Sequence, residues 1–169
     1  MKRALAKGRS LYPIYLPMNA QYQLLQELQS LLEKACFQFS ETNLEDVLQK
    51  RQWECPEAIE LNVWAGVLKT KAGIFASEDW ERLGKPWTEL LSSIVQIRHT
   101  CVHRLRVTAA RIKQFLTDAV SFTMLLKSGE SQNAVRRLRQ EYEAIVEEVG
   151  RNKDLLEARL AEETKDIAR

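Results

Sequence analysis

Glycine and proline are scarce in this 169-residue chain, with 6 and 4 copies respectively. Long stretches carry neither, which argues against a strand-and-turn architecture and for helices. Histidine is rarer still, at two copies, His99 and His103. The three cysteines (Cys36, Cys55, Cys101) are an odd number without CxxC spacing. That pattern excludes a Cys-rich zinc site and, lacking CxxCH, covalent haem attachment; it points to a reducing compartment. No apolar run approaches a membrane span, and no secretory hydrophobic region is present. The expectation is an intracellular chain, cytoplasmic or nuclear, with no membrane contact; a mitochondrial location stays open.

Acidic residues are missing from two stretches. None precedes Glu27, where Lys2, Arg3, Lys7 and Arg9 suggest a flexible basic arm over residues 1–18, read as a soluble tail before a targeting or RNA-touching segment. None occurs from Leu90 to Thr117, where Arg98, Arg104, Arg106, Arg111 and Lys113 supply five positive charges. The net charge is only +2, so this is a local patch suited to an anionic partner such as RNA. A solvated helix face paired with glutamates of the last helix is the competing reading.

With 45% hydrophobic residues the chain can bury a real core. Apolar spacing predicts an all-α bundle over residues 19–127 and an extended C-terminal helix over 131–169. Asn19 opens a first helix through Phe37, and Ser40 to Asn43 reads as a break. Thr42 and Glu45 read as a capping box for a short helix to about Arg51. Pro56 fits the first turn of the next helix. Ser77 starts a short helical turn that Gly84-Lys85-Pro86 ends. A helix from Pro86 or Trp87 precedes one capped by Thr108, which runs to about Lys127. Ser131 is the expected cap of the last helix, where Val135, Leu138, Tyr142, Ile145, Val149, Asn152 and Leu156 form a coiled-coil-like seam. That helix is expected to pack on the bundle first and then extend beyond it, offering its seam to a coiled-coil partner.

The segment Arg98-His99-Thr100-Cys101-Val102-His103-Arg104 holds both histidines. Leu91, Ile94, Val95, Cys101, Val102 and Leu105 form the expected apolar stripe, with Arg98 near its middle. The histidines, four apart, share one flank. Arg98 and His103 lie roughly 140° apart on an ideal helix, so their cooperation needs Arg's reach, a bend or a second copy. Histidine titrates near neutrality as a residue type and moves protons, while a guanidinium holds phosphate and developing negative charge. RNA cleavage by its own 2′-hydroxyl needs that pair of groups and no metal.

Arg-x4-His in a late helix of a small α-bundle resembles the HEPN family (higher eukaryotes and prokaryotes nucleotide-binding domain). Arg98, His99 and His103 match its Arg, its following polar residue and its His. The resemblance spans roughly residues 19–127 and implies a metal-independent endoribonuclease leaving 2′,3′-cyclic phosphate and 5′-hydroxyl ends, without cofactor. It further implies a homodimer in which both motif helices line one cleft. His103 would then be the acid/base, Arg98 the phosphate ligand and His99 an auxiliary group, with Arg104, Arg106, Arg111 and Lys113 holding RNA. The alternative is a non-catalytic homodimerisation or protein- or RNA-binding module. A zinc site at the histidine pair lacks an evident third ligand. Trp53, Trp64, Trp80 and Trp87 read as core before base-stacking platforms, and Cys101 as a buried, inert thiol.

Overall fold

The computed structural model describes residues 13–168; the arm cations Lys2, Arg3, Lys7 and Arg9 lie outside them. The fold is all-α, with seven α-helices among the described residues: α1 (Met18–Asn43), α2 (Glu45–Arg51), α3 (Leu61–Thr70), α4 (Ser77–Arg82), α5 (Trp87–Val102), α6 (Ala109–Leu125) and α7 (Gly129–Ile167). α1 is the central helix, in contact with α3, α5, α6 and α7. Its stripe Leu24, Leu25, Leu28, Leu32, Ala35 and Cys36 is buried, because residues at three- and four-residue spacing share the face turned to the core.

Several boundaries differ from the sequence expectation, each for a tertiary reason. α1 continues through the expected break at 40–43: Ser40 is fully buried, and Phe39 stacks on Phe75 with centroids 5.4 Å apart. The chain turns instead at Leu44, whose side chain is buried and whose N–H reaches the Ser40 carbonyl. Thr42 therefore lies inside α1, and no capping box forms. Pro56 opens a short 3-10 turn, Pro56–Ala58, rather than α3; buried Ile59 is extended, so α3 starts only at Leu61. Ser131 is buried inside α7, which begins at Gly129. Residues 14–17, assigned to the arm, belong to the bundle: Leu16 is fully buried and the Ile14 carbonyl accepts the Ala109 N–H at 2.8 Å.

Three helices end in the same way without glycine. After α2, α5 and α7's predecessor α6, the residues Gln52, Arg104 and Lys127 adopt φ of 56°, 53° and 54°. Each is followed by a residue whose N–H reaches back five positions: Trp53 to Leu48, Leu105 to Thr100, and Ser128 to Thr123. This is the Schellman closure, in which a left-handed residue satisfies otherwise orphaned carbonyls. The turn that a glycine commonly makes after a helix is made here by Gln, Arg and Lys.

The tryptophans are structural. Phe75, Trp80 and Trp87 meet edge to face at 5.2–5.6 Å, Trp87 stacks on Phe122, and Trp53 packs on fully buried Trp64. Such ring pairs add about 0.5–1.5 kcal/mol each beyond area burial. α7 packs on α6 and α1 through buried Val135, Leu138 and Tyr142. Beyond it, Leu155, Leu156 and Leu160 are 63, 56 and 63% exposed, so the helix does leave the bundle.

One buried carboxylate, Asp118 on α6, ties the α4–α5 loop to the core. It accepts from Lys85 Nζ and Ser93 Oγ, each at 2.5 Å, and from Gln114 at 3.2 Å. Removing one partner of a buried pair strands the other charge, which typically costs about 3 kcal/mol or more. Asp118→Ala is therefore expected to lose about 3 kcal/mol in denaturant unfolding, and a loss below about 0.5 kcal/mol would show the pair to be incidental.

Candidate nucleic-acid interface at the end of α5

α5 buries Trp87, Leu90, Leu91, Ser93, Ile94, Ile97, Thr100 and Cys101. That face is rotated from the expected stripe: Val102 and Leu105 are 48 and 43% exposed, while Ile97 and Leu90 are fully buried. Arg98 consequently sits at the edge of the apolar face, half-buried, not at its middle. Its Nη2 donates to Glu60 Oε2 at 2.5 Å, and its Nε is buried without a partner.

Around Arg98 lies an acidic group. Glu33, Lys34, Ser30, Pro56 and Glu57 line a cavity of about 310 Å³. Burial pushes the Glu33 carboxyl up to about 7 against a hydrogen bond from Gln29; the charges of Glu60 and Glu57 raise it further, and Arg98 opposes them. The sequence reading missed this cluster because its members come from α1, the 3-10 turn and the α3 approach, with no shared spacing.

The histidines lie on the other flank. Both are exposed, their ring centroids 4.5 Å apart at 58°, as i, i+4 spacing requires. His103 caps α5, its N–H bonded to the His99 carbonyl. Arg104 follows in the left-handed conformation and places its guanidinium over Tyr22, 5.1 Å from the ring centroid. Arg106 stands over Tyr15 at 5.1 Å and Arg111 over Phe115 at 4.8 Å. Among the described residues none of these three is ion-paired, so the competing reading, pairing with glutamates of the last helix, is not met for them. Lys113 is exposed further along α6, and no contact joins it to the histidines.

The loop between α5 and α6, with the first residue of α6, is held from three sides. Gln21 of α1, 1% exposed, donates through Nε2 to the Leu105 carbonyl at 2.7 Å and accepts the Val107 N–H at 3.2 Å. The Tyr142 hydroxyl of α7 donates to the Ala109 carbonyl at 2.5 Å, and burial pushes that phenol up, keeping it a donor. Ile14 binds the Ala109 N–H. Thr108 caps α6, its Oγ1 accepting from the Arg111 N–H at 3.1 Å, as the sequence predicted.

Burial pushes the Cys101 thiol up, with Arg104 opposing, so this thiol is disfavoured as a thiolate nucleophile. Among the described residues no group of three His, Cys, Asp or Glu side chains could hold a metal ion, and no helix is long and apolar enough to cross a membrane. The chain matches no family model, no curated protein and no solved structure.

Two outcomes follow from this geometry. Gln21→Ala removes the partner of the part-buried Leu105 carbonyl and Val107 N–H, at about 1 kcal/mol each; the Val107 amide is expected to lose hydrogen-exchange protection before the bundle core does. Glu33 has a higher pKa folded than the ordinary carboxyl value of 4.5. The fold binds more protons there than the unfolded chain does, so its contribution to stability is present below pH 4.5 and lost as pH rises towards about 7. Glu33→Gln is expected to flatten that decline in pH-resolved unfolding and to be more stable than wild type at pH 8; an unchanged slope would contradict the shift.

Proposed function

We propose that the chain is a metal-independent endoribonuclease that cleaves RNA at a cleft formed by two copies. The observation that carries this reading is the exposed pair His99 and His103, rings 4.5 Å apart, beside a basic loop whose backbone is fixed by Gln21. In such a cleft an imidazole of His103 accepts the 2′-hydroxyl proton. The 2′-oxygen forms a bond to phosphorus, the bond from phosphorus to the 5′-oxygen breaks, and an imidazolium gives its proton to the departing oxygen. The products are a 2′,3′-cyclic phosphate and a 5′-hydroxyl. Arg104 and Arg106 hold flanking phosphates, and His99 orients or replaces His103.

Arg98 and His103 occupy different flanks of α5, and Arg98 faces Glu60. Both meet one phosphate where a second copy brings its Arg98 to the His103 of the first. The Arg98–Glu60 ion pair also favours a second reading, a non-catalytic RNA-binding or dimerisation module in which Arg98 anchors α5 to the segment before α3.

Single-stranded RNA in EDTA separates the two. Under the nuclease reading, wild type cleaves and His103→Ala falls about 10²–10⁴-fold, with Arg98→Ala also impaired and the end groups as given above. Equal rates for all three proteins, or salt-dependent RNA binding without cleavage, would sink the nuclease reading; the second result would leave the binding module standing.

A further inference from the structure

The projecting part of α7 carries a pattern that the bundle does not use. From Val149, where the helix is half-buried, one face of α7 reads Val149, Lys153, Leu156, Leu160, Glu163 and Ile167, taking Lys153 where the 3-4 spacing of the bundle-facing stripe would take Asn152. The steps are 4, 3, 4, 3 and 4, which is the heptad spacing of a two-helix seam. The order is also symmetric about residue 158: apolar ends, charged second positions and two leucines at the centre. The last three apolar members are 56, 63 and 87% exposed.

We propose that residues 149–167 pair antiparallel with the same segment of a second copy of this chain. In that alignment Val149 meets Ile167 of the other copy, Lys153 meets Glu163, and Leu156 meets Leu160, every layer repeated by two-fold symmetry. Charge decides the direction. A parallel pair would set Lys153 against Lys153 and Glu163 against Glu163, placing like charges inside the seam. Register follows from the same residues. A slip of one heptad places Lys153 against Leu156, or Leu160 against Glu163, so only one antiparallel alignment matches apolar with apolar and cation with anion. Lys153 also has an interaction within its own chain, and its long stem lets it serve both.

The helix does not have to form on association. α7 is continuous over 39 residues, about 58 Å at 1.5 Å per residue, and its first half is packed in the bundle. The nucleation cost that makes short isolated helices marginal is already met. The pairing does not depend on the nuclease reading, since it uses residues 149–167 of α7 and no residue of the motif helix α5.

Sedimentation equilibrium of the full chain over micromolar concentrations tests it. Wild type is expected to associate through α7, and Leu156→Lys with Leu160→Lys to lose that step of association while keeping the wild-type helical content by circular dichroism. Glu163→Lys alone is expected to weaken association by about tenfold or more, and Lys153→Glu in the same chain to restore it. In a Cys55→Ser background, mixed Val149→Cys and Ile167→Cys copies are expected to cross-link to one another, and Ile167→Cys copies not to cross-link alone. A monomeric wild type, a dimer indifferent to the two leucine substitutions, or cross-linking of Ile167→Cys to itself would overturn the proposal. The second of these results would leave a dimer at α5 intact.

Discussion

The bundle is organised around one constraint: the loop from α5 to α6 crosses α1 and α7, and its part-buried peptide groups must find partners there. A buried N–H or C=O without a partner costs as much as a sizeable share of a small domain's net stability. Gln21 meets the requirement with a single side-chain amide, which donates to Leu105 and accepts from Val107. Ile14 and Tyr142 do the same for the two polar groups of Ala109. The lead segment, α1 and α7 therefore converge on one short stretch of backbone at the start of α6. That stretch is also where the basic side chains begin.

This convergence gives the histidine pair its rigidity. His103 closes α5, Arg104 takes the left-handed turn, and Leu105 is already fixed by Gln21. A non-glycine residue in that conformation carries backbone strain of order 1 kcal/mol, which the surrounding bonds hold in place. Tyr22 and Tyr15 then receive the guanidinium groups of Arg104 and Arg106. The cations are presented on aromatic rings and left without carboxylate partners among the described residues, which suits contact with an external anion. On the other flank, Arg98 is occupied by Glu60 and bordered by Glu33, a carboxyl pushed to about 7 by burial. One helix thus separates a basic, accessible surface from an acidic, partly enclosed one.

Much of this was legible in the residues. The i, i+4 spacing of His99 and His103 fixed their adjacency, Thr108 announced its cap, and the acid-free stretch marked the basic surface. The errors cluster where side-chain burial overruled a local signal. Ser40 to Asn43 looked like a break, yet Phe39 packing on Phe75 carries α1 through it. Pro56 looked like a helix start, yet buried Ile59 delays α3 to Leu61. The stripe of α5 was drawn through Val95, Val102 and Leu105, whereas contacts with α1, α3 and α6 rotate it onto Leu90 and Ile97. That rotation moves Arg98 from the middle of the apolar face to its edge.

Periodicity, capping and composition determined by themselves that the chain is helical, where most helices lie, and that its histidines stand together. These are local properties, set by spacing along one helix and by the absence of breakers. The tertiary structure decided what local signals do not encode: which face of α5 turns inward, that Glu60 takes Arg98, and that Gln21, 84 residues from Leu105 in the chain, fixes the loop beside the histidines. It also decided where α7 leaves the bundle, so that Val135, Leu138 and Tyr142 pack in the core while Leu155, Leu156 and Leu160 stand exposed. Such partnerships depend on which elements pack together, and packing is a property of the whole chain rather than of any window in it.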